Sequence, residues 1–346
     1  MIYRANTLTS QRAINRRHIV ATSAGFLAVP YLASCASTPQ KPLKVGALFA
    51  GRIDDKGFME AGWRGLEKAR AEFGIEARHI DRVQPRKELL AAALTDLAES
   101  GVDLVIAHGG QNNEACAEVA ARFGRVKFVV TQGAVVAPNL ASYDVLQEDS
   151  AYLAGVLAAS LTRTGVVGHM SGIRVRPGLK GRAGYAAGVR ATNPNVKLLT
   201  NFSGNQDDND LSRKVALAQM AAGADVIFTM LNAGRDGVSQ ACREKGTRQI
   251  GNVIDWVAVD GQVFVASAMA DVGRGVYQSV RDLRQGQFPQ GLIRKVGIAD
   301  PQAVRLSMAA SVSAEVRAKV IAAAEGIASG RILVPEEYAG PEFATP

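Results

Sequence analysis

The residues with the most chemistry to offer sit together at 54–58, where Asp54, Asp55, Lys56, Gly57 and Phe58 supply two carboxylates, an amine and a ring. Related groups recur at the ends of later apolar runs: His108-Gly109-Gly110-Gln111-Asn112-Asn113, Thr131-Gln132-Gly133, Ser203-Gly204-Asn205-Gln206-Asp207-Asp208, Leu231-Asn232-Ala233-Gly234 and Asp255-Trp256. Carboxamides, carboxylates and glycines dominate these stretches. Amides both donate and accept hydrogen bonds, and glycine lets backbone approach a ligand, so the set suits a neutral polar molecule held in a cleft. Each group has a second use. Asp54 or Asp55 can cap a helix, Asn112 or Asn113 can do the same, and Phe58 and Trp256 can simply pack.

No catalytic constellation stands out in the sequence. No glycine directly precedes a lysine, so a GxxxxGK phosphate loop is absent, and there is no GxSxG elbow. Beyond His18, the histidines His79, His108 and His169 stand singly, without the spacing of metal ligands. QACRE at 240–244 departs from the caspase signature at Glu244 and falls in an expected helix. A metal-dependent nucleoside hydrolase would draw on Asp54-Asp55 or Asp207-Asp208, and both pairs are placed to cap helices. The expectation is a binding protein, with no enzyme activity, no metal and no cofactor.

Elements that would position these groups follow from periodicity. Residues 44–49 form a short apolar run, and 58–73 carry Phe58, Trp63, Leu66, Ala69 and Phe73 at helical spacing. Strand and helix alternate from there on. Strands are expected at 75–80, 103–107, 126–130, 165–170, 196–202, 225–230, 250–254 and 263–268. Helices are expected at 85–100, 150–162, 181–192, 210–222, 234–245, 272–285 and 313–328. Residues 171–178 read as a long basic loop, and the small-residue helix after it as packed close to its sheet. Such alternation implies parallel sheets, and ligands of open parallel sheets sit beyond the carboxyl ends of strands. Two doubly wound α/β lobes are expected, with a closed (β/α)₈ barrel as the rival. The lobes are placed at 43–145 with about 256–285, and at 146–255 with about 286–346.

The chain has 346 residues, 47% of them hydrophobic and 6% aromatic, with a net charge of +8. Arg4, Arg12, Arg16 and Arg17, with no acid, lie in residues 1–34, so the remainder carries 36 basic and 32 acidic residues. No basic block is present, which argues against a nucleic-acid partner. Arg16-Arg17 before the apolar run 19–33 reads as a twin-arginine export signal, too short and too weakly apolar to span a membrane well. Leu32-Ala33-Ser34-Cys35 resembles a bacterial lipobox, with Cys35 the residue acylated. Residues 35–42 then form the tether of a protein anchored by lipid to the membrane, in the periplasm or at the cell surface. Cys116 and Cys242 read as small buried residues.

VGALFAGRIDDKGFMEAGWRGL at 45–66, QEDSAYLAG at 147–155, RAGYAAG at 182–188, NPNVK at 193–197 and GADVIF at 223–228 together resemble the basic-membrane-protein family. These are purine-nucleoside-binding lipoproteins of ABC importers. The resemblance covers roughly residues 43–290. It implies a type I periplasmic-binding fold, two lobes joined by three crossings with ligand enclosed between them, and an ABC permease as partner. The family's DKSFN pattern falls on Asp55-Lys56-Gly57-Phe58-Met59, keeping the stacking ring as Phe58 and replacing the asparagine with Met59. The residue that reads the base edge falls near Gln132, and a second ring near Gly181. The ribose contacts fall near Ala270 and near Val253 or Asp255. Losing a sugar's partners while Phe58 remains implies a free nucleobase or related heterocycle rather than a ribonucleoside, with Trp256 a candidate second stacker. Importer function is the first reading and a ligand-sensing receptor of the same fold the alternative.

Overall fold

The computed structural model describes residues 41–344. The export signal and the acylated Cys35 expected from the sequence lie outside the described residues.

The first lobe is built on β1 (Lys44–Phe49), β2 (Glu76–Ile80), β3 (Leu104–His108), β4 (Lys127–Thr131), β5 (Leu140–Val145) and β11 (Ile293–Val296). They form one parallel sheet in the order β11-β5-β4-β3-β1-β2. Its helices are α1 (Phe58–Phe73), α2 (Lys87–Glu99), α3 (Asn113–Arg122) and α9 (Gly273–Arg284). The second lobe carries β6 (Val166–Ser171), β7 (Lys197–Phe202), β8 (Val226–Met230), β9 (Arg248–Val253), β10 (Phe264–Ala270) and β12 (Val304–Met308), ordered β12-β10-β9-β8-β6-β7. All its pairs are parallel except β10 with β12. Its helices are α4 (Gln147–Leu161), α5 (Arg176–Thr192), α6 (Asn209–Ala221), α7 (Arg235–Lys245), α8 (Trp256–Asp260) and α10 (Ala314–Ala328). Two open sheets replace the barrel alternative. The central strands LVIAH and VIFTM are buried at every position, as helices on both faces of a parallel sheet require.

The chain crosses between lobes after β5, after β10 and after β11. These crossings correct the expected lobe boundaries. Residues 256–270 belong to the second lobe, because β10 pairs with β9, and β11 returns to the first sheet beside β5. Both β11 and β12 escape sequence reading for the same reason. They are short edge strands, IRKV and VRLSM, with too little apolar content to stand out from loop.

Two further expectations change. Helix α5 begins at Arg176, not 181, with Pro177 in its first turn, so the basic loop expected at 171–178 is three residues shorter at its end. The first glycines of α5, Gly178 and Gly181, meet the sheet at Ser171, Phe202 and Met230, and the later ones, Gly184 and Gly188, meet α4. A Cβ at Gly188 would lie 2.1 Å from the Tyr152 carbonyl oxygen, and one at Gly155 2.2 Å from that of Tyr185. Only glycine lets these two helix backbones come so close. Cys116 and Cys242 are buried free thiols. Among the described residues no helix is long and apolar enough to cross a membrane.

Candidate functional site

Carboxyl ends of strands from both sheets meet around a cavity of about 290 Å³ between the lobes. Of the expected ligand residues, Phe58, Met59, Gln111, Asn205 and Asn232 line it. Gln206 and Asp207, from the 203–208 strand end, also line it, as do Gln147, Ser171, Met230 and Asn252, which were not foreseen. Six carboxamides (Gln111, Gln147, Asn205, Gln206, Asn232 and Asn252) therefore surround the space. Among the described residues, Phe58 is its one aromatic residue and Asp207 its one charged residue, and no lysine, arginine or histidine lines it.

Phe58 is held from below. Its ring centroid is 4.5 Å from that of His108, and its carbonyl oxygen is 2.9 Å from His108 Nε2. Thr131 Oγ1 lies 2.7 Å from His108 Nδ1. Burial lowers the His108 pKa to about 4, so the ring is neutral at physiological pH, with Nε2–H donating to Phe58. Gly62 makes room for this imidazole, since a Cβ there would lie 2.4 Å from Nε2. The start of α1, which carries Phe58, is fixed by Asp55. That carboxylate accepts from the amides of Gly57 (2.8 Å), Met59 (3.0 Å) and Glu60 (3.1 Å). Burial raises the Asp55 carboxyl above its ordinary range, and the three amides oppose that shift.

Several expected ligand residues are occupied elsewhere. Asp55 is only 3% exposed and is used by α1. Asp54 pairs with Arg52 at 2.9 Å on the surface. Asn112 is buried and donates from Nδ2 to the carbonyls of His108 and Gly109, closing the end of β3. Gly109 serves that same turn with φ 106°, a conformation glycine adopts freely. Gly110 is packed between Gln132 of its own lobe and Arg176 of the second, where a Cβ would lie 2.7 Å from the Gln132 carbonyl oxygen and 3.4 Å from the Arg176 Cβ. Gln132 Oε1 accepts from the Val145 amide at 3.1 Å, tying β4 to the first crossing. Asp255 caps α8 through the amides of Val257 and Ala258 and accepts from the Ser307 hydroxyl at 2.8 Å. Trp256 is 5% exposed. Its ring packs on Gly251, its Nε1 donates to the Asn252 carbonyl at 3.0 Å, and the Arg235 guanidinium lies 3.8 Å from its centroid. Trp256 is thus a packing residue, and it holds the backbone of Asn252.

Asp255 and Trp256 line a second, larger cavity of about 780 Å³, bounded by α1, α8 and α9. Lys56 and Gly57 line the larger cavity and Phe58 and Met59 the smaller, so the start of α1 lies between them. Val253 and Ala270, where the resemblance puts sugar contacts, line the larger space and carry no polar side chain. Many of the ionic groups there are already engaged: Glu60 with Arg64, Arg274 with Asp300, Arg281 with Asp282. Among the described residues, buried unmatched side-chain atoms occur at both cavities: Gln147 Nε2 and Asn252 Oδ1 at the smaller, Arg274 Nε and Gln278 Oε1 at the larger. Asp208 caps α6 by accepting from the Leu211 amide at 2.9 Å, so each paired-aspartate stretch supplies a helix cap. Among the described residues no group of three or more His, Cys, Asp or Glu could hold a metal.

The lobes are clamped at the cavity's edge. Asp144 of β5 receives Arg176 at 2.9 Å and Lys180 at 3.0 Å, both from α5. Glu336, in the segment after α10, receives Arg176 at 3.1 Å and Lys295 of β11 at 3.6 Å. Asp144 and Lys180 are 2% and 3% exposed, so these charges act with little solvent screening.

Comparisons with known proteins agree with this architecture. The chain is 21% identical to an ABC transporter system solute-binding protein from Aeropyrum pernix K1, with a TM-score of 0.76 over 86% of this chain and 95% of that one. That likeness shows the type I periplasmic-binding fold. The CD4+ T-cell-stimulating antigen of Listeria monocytogenes is 27% identical over 83% of this chain and 86% of its own length. The transcriptional activator protein med of Bacillus subtilis is 24% identical over 78% of this chain and 82% of its own. The family described as Bmp, ABC transporter substrate-binding protein PnrA-like, matches residues 43–338, and the chain belongs to it.

Proposed function

We propose that this protein captures an uncharged heterocycle of the nucleobase or nucleoside class between its lobes and delivers it to an ABC permease. The observation that carries the reading is the make-up of the smaller cavity among the described residues, six carboxamides and one partly buried aromatic ring with no cation. A carboxylate or phosphate ligand would need a guanidinium or ammonium to offset its desolvation. A neutral ring needs a flat apolar surface and groups that both donate and accept, which Phe58 and the amides supply. Closure is the binding step, because the first lobe supplies Phe58, Met59 and Gln111 and the second supplies most of the amides. The Arg16-Arg17 stretch and Cys35 support export and acylation, which would keep the protein at an extracytoplasmic membrane face.

Calorimetry with adenine, hypoxanthine, uracil, adenosine, inosine, ribose and glucose tests the ligand class. Binding of at least one heterocycle and of neither sugar is expected. Binding of ribose or glucose with no heterocycle would remove the proposal. A ligand-sensing receptor of the same fold is the second reading, favoured by the relative named a transcriptional activator. Uptake of the bound heterocycle by cells with and without the gene separates the two.

A further inference from the structure

Gln147 and Asn252 line the interlobe cavity and are only 5% and 7% exposed. Among the described residues, the buried Gln147 Nε2 and Asn252 Oδ1 have no hydrogen-bond partner. This is unusual. A carboxamide taken out of water without partners costs stability, and interiors normally satisfy such groups. The surroundings show how other amides in this chain avoid that cost. Asn139 Nδ2 lies within hydrogen-bond distance of three carbonyls, at 3.0, 3.1 and 3.0 Å, and Gln249 bonds both Ser239 and Thr229.

The two amides are also held in place. Gln147 is the first residue of α4, directly after the first crossing. Asn252 precedes Val253, whose φ of 69° is a left-handed turn that a β-branched residue resists, and its carbonyl is gripped by the Trp256 indole. Structure is therefore invested in keeping two carboxamides with unmatched atoms at one cavity wall.

Resting on the binding reading above, we infer that Gln147 and Asn252 are the residues that select the ligand, by reading ring N–H and C=O groups in the plane of a heterocycle lying against Phe58. Each amide offers one donor face and one acceptor face. A ring with only acceptors, or only apolar edges, leaves part of the pair unmatched. The ligand class is thus an uncharged planar lactam, such as an oxopurine or oxopyrimidine.

The test compares matched rings in the wild type and two variants, Gln147→Met and Asn252→Leu, by calorimetry and by thermal unfolding without ligand. The rings are hypoxanthine against purine, and uracil against 1,3-dimethyluracil. The wild type is expected to prefer the lactam in at least one matched pair by roughly ten- to hundredfold, and each variant to lose most of that preference. The ligand-free variants are expected to melt at the wild-type temperature or above, because an unmatched polar group has been replaced by an apolar one. A purely structural role predicts the reverse, a lower melting temperature with the preference intact, and that result overturns the inference. Should a variant fail to fold, Gln147→Glu and Asn252→Asp, which keep size and remove the amide donors, carry the same prediction for the preference. Wild-type binding of heterocycles without any lactam preference removes this inference and leaves the binding reading standing. Wild-type binding of none of the four rings removes this inference, and the binding reading falls with it only if adenine, adenosine and inosine also fail to bind.

Discussion

Phe58 shows how much a single position depends on neighbours distant in sequence. Its ring rests on His108, fifty residues away, and His108 fits only because residue 62 is glycine. The imidazole must stay neutral to do this, and its depressed pKa makes that state testable. The unfolded chain takes up a proton near pH 6.5, but the folded chain takes it up only near pH 4. Between those values the unfolded state binds more protons, so stability falls as pH is lowered. Between pH 7 and 5 the loss due to His108 is about 2 kcal/mol. His169, lowered to about 3 by burial, acts in the same direction, and Glu148, raised to about 7 by burial, acts in the opposite one. Comparing the wild type with His108→Gln by urea unfolding at both pH values isolates the His108 share, since the other groups cancel. The variant is expected to lose about 2 kcal/mol less between pH 7 and 5 than the wild type; equal losses would show that His108 is not held neutral.

Part of the site was legible residue by residue. Phe58, Met59, Gln111, Asn205 and Asn232 follow from strand ends carrying rings and amides, or from the family's pattern. Asp54, Asp55, Asn112, Gln132 and Asp255 satisfy the same pattern but do other work. A polar group at a strand end is equally able to close the turn it sits in, and only burial and partners decide between the uses. Gln147 and Asn252 gave no such signal, because one lies just inside a helix and the other just inside a strand.

Among the elements, α1 carries the account, because it places Phe58 and separates the two cavities. Its residue Gly57 offers no side chain to cap with, so the cap comes from Asp55, two residues earlier. Asp55→Ala strands three amides at the start of α1 and is expected to cost about 2 kcal/mol of stability. It should also weaken ligand binding, because the segment carrying Phe58 loosens. Chemical unfolding and calorimetry on the same sample check both; an unchanged stability would show that solvent or the backbone replaces the cap. The long central helices and strands were legible because apolar periodicity marks them. β11 and β12 were not, since edge strands need no continuous apolar run. The start of α5 was misread because Arg176 and Lys180 are charged, and their charges are spent on Asp144 across the lobe boundary.

That boundary governs the whole molecule. Gly57 meets Asn232, Gly110 meets Arg176, and Asp144 is held by Arg176 and Lys180, all across the lobe boundary. The order of the three crossings follows from the sheet orders, and the two-lobe plan was legible from strand–helix alternation. The positions of the later two crossings were not, because they fall in short connections with no compositional mark. Asp144→Asn keeps the shape of the clamp and removes its charge, leaving two cations with less compensation. Breaking such a pair costs roughly 3 kcal/mol. The ligand-free variant is therefore expected to populate an opened form, with a larger radius of gyration by small-angle scattering and a weaker affinity for the same ligand. Wild-type values of both would show that the clamp does not set the closure equilibrium.

The central claim is that the space between the lobes holds an uncharged aromatic ring against Phe58. Native mass spectrometry of the protein as isolated from cells, followed by release and identification of whatever it carries, tests this most directly. The account predicts a neutral nitrogen heterocycle on the wild type that is lost from Phe58→Ala. An anionic or saturated ligand, or a heterocycle retained by Phe58→Ala, would contradict it.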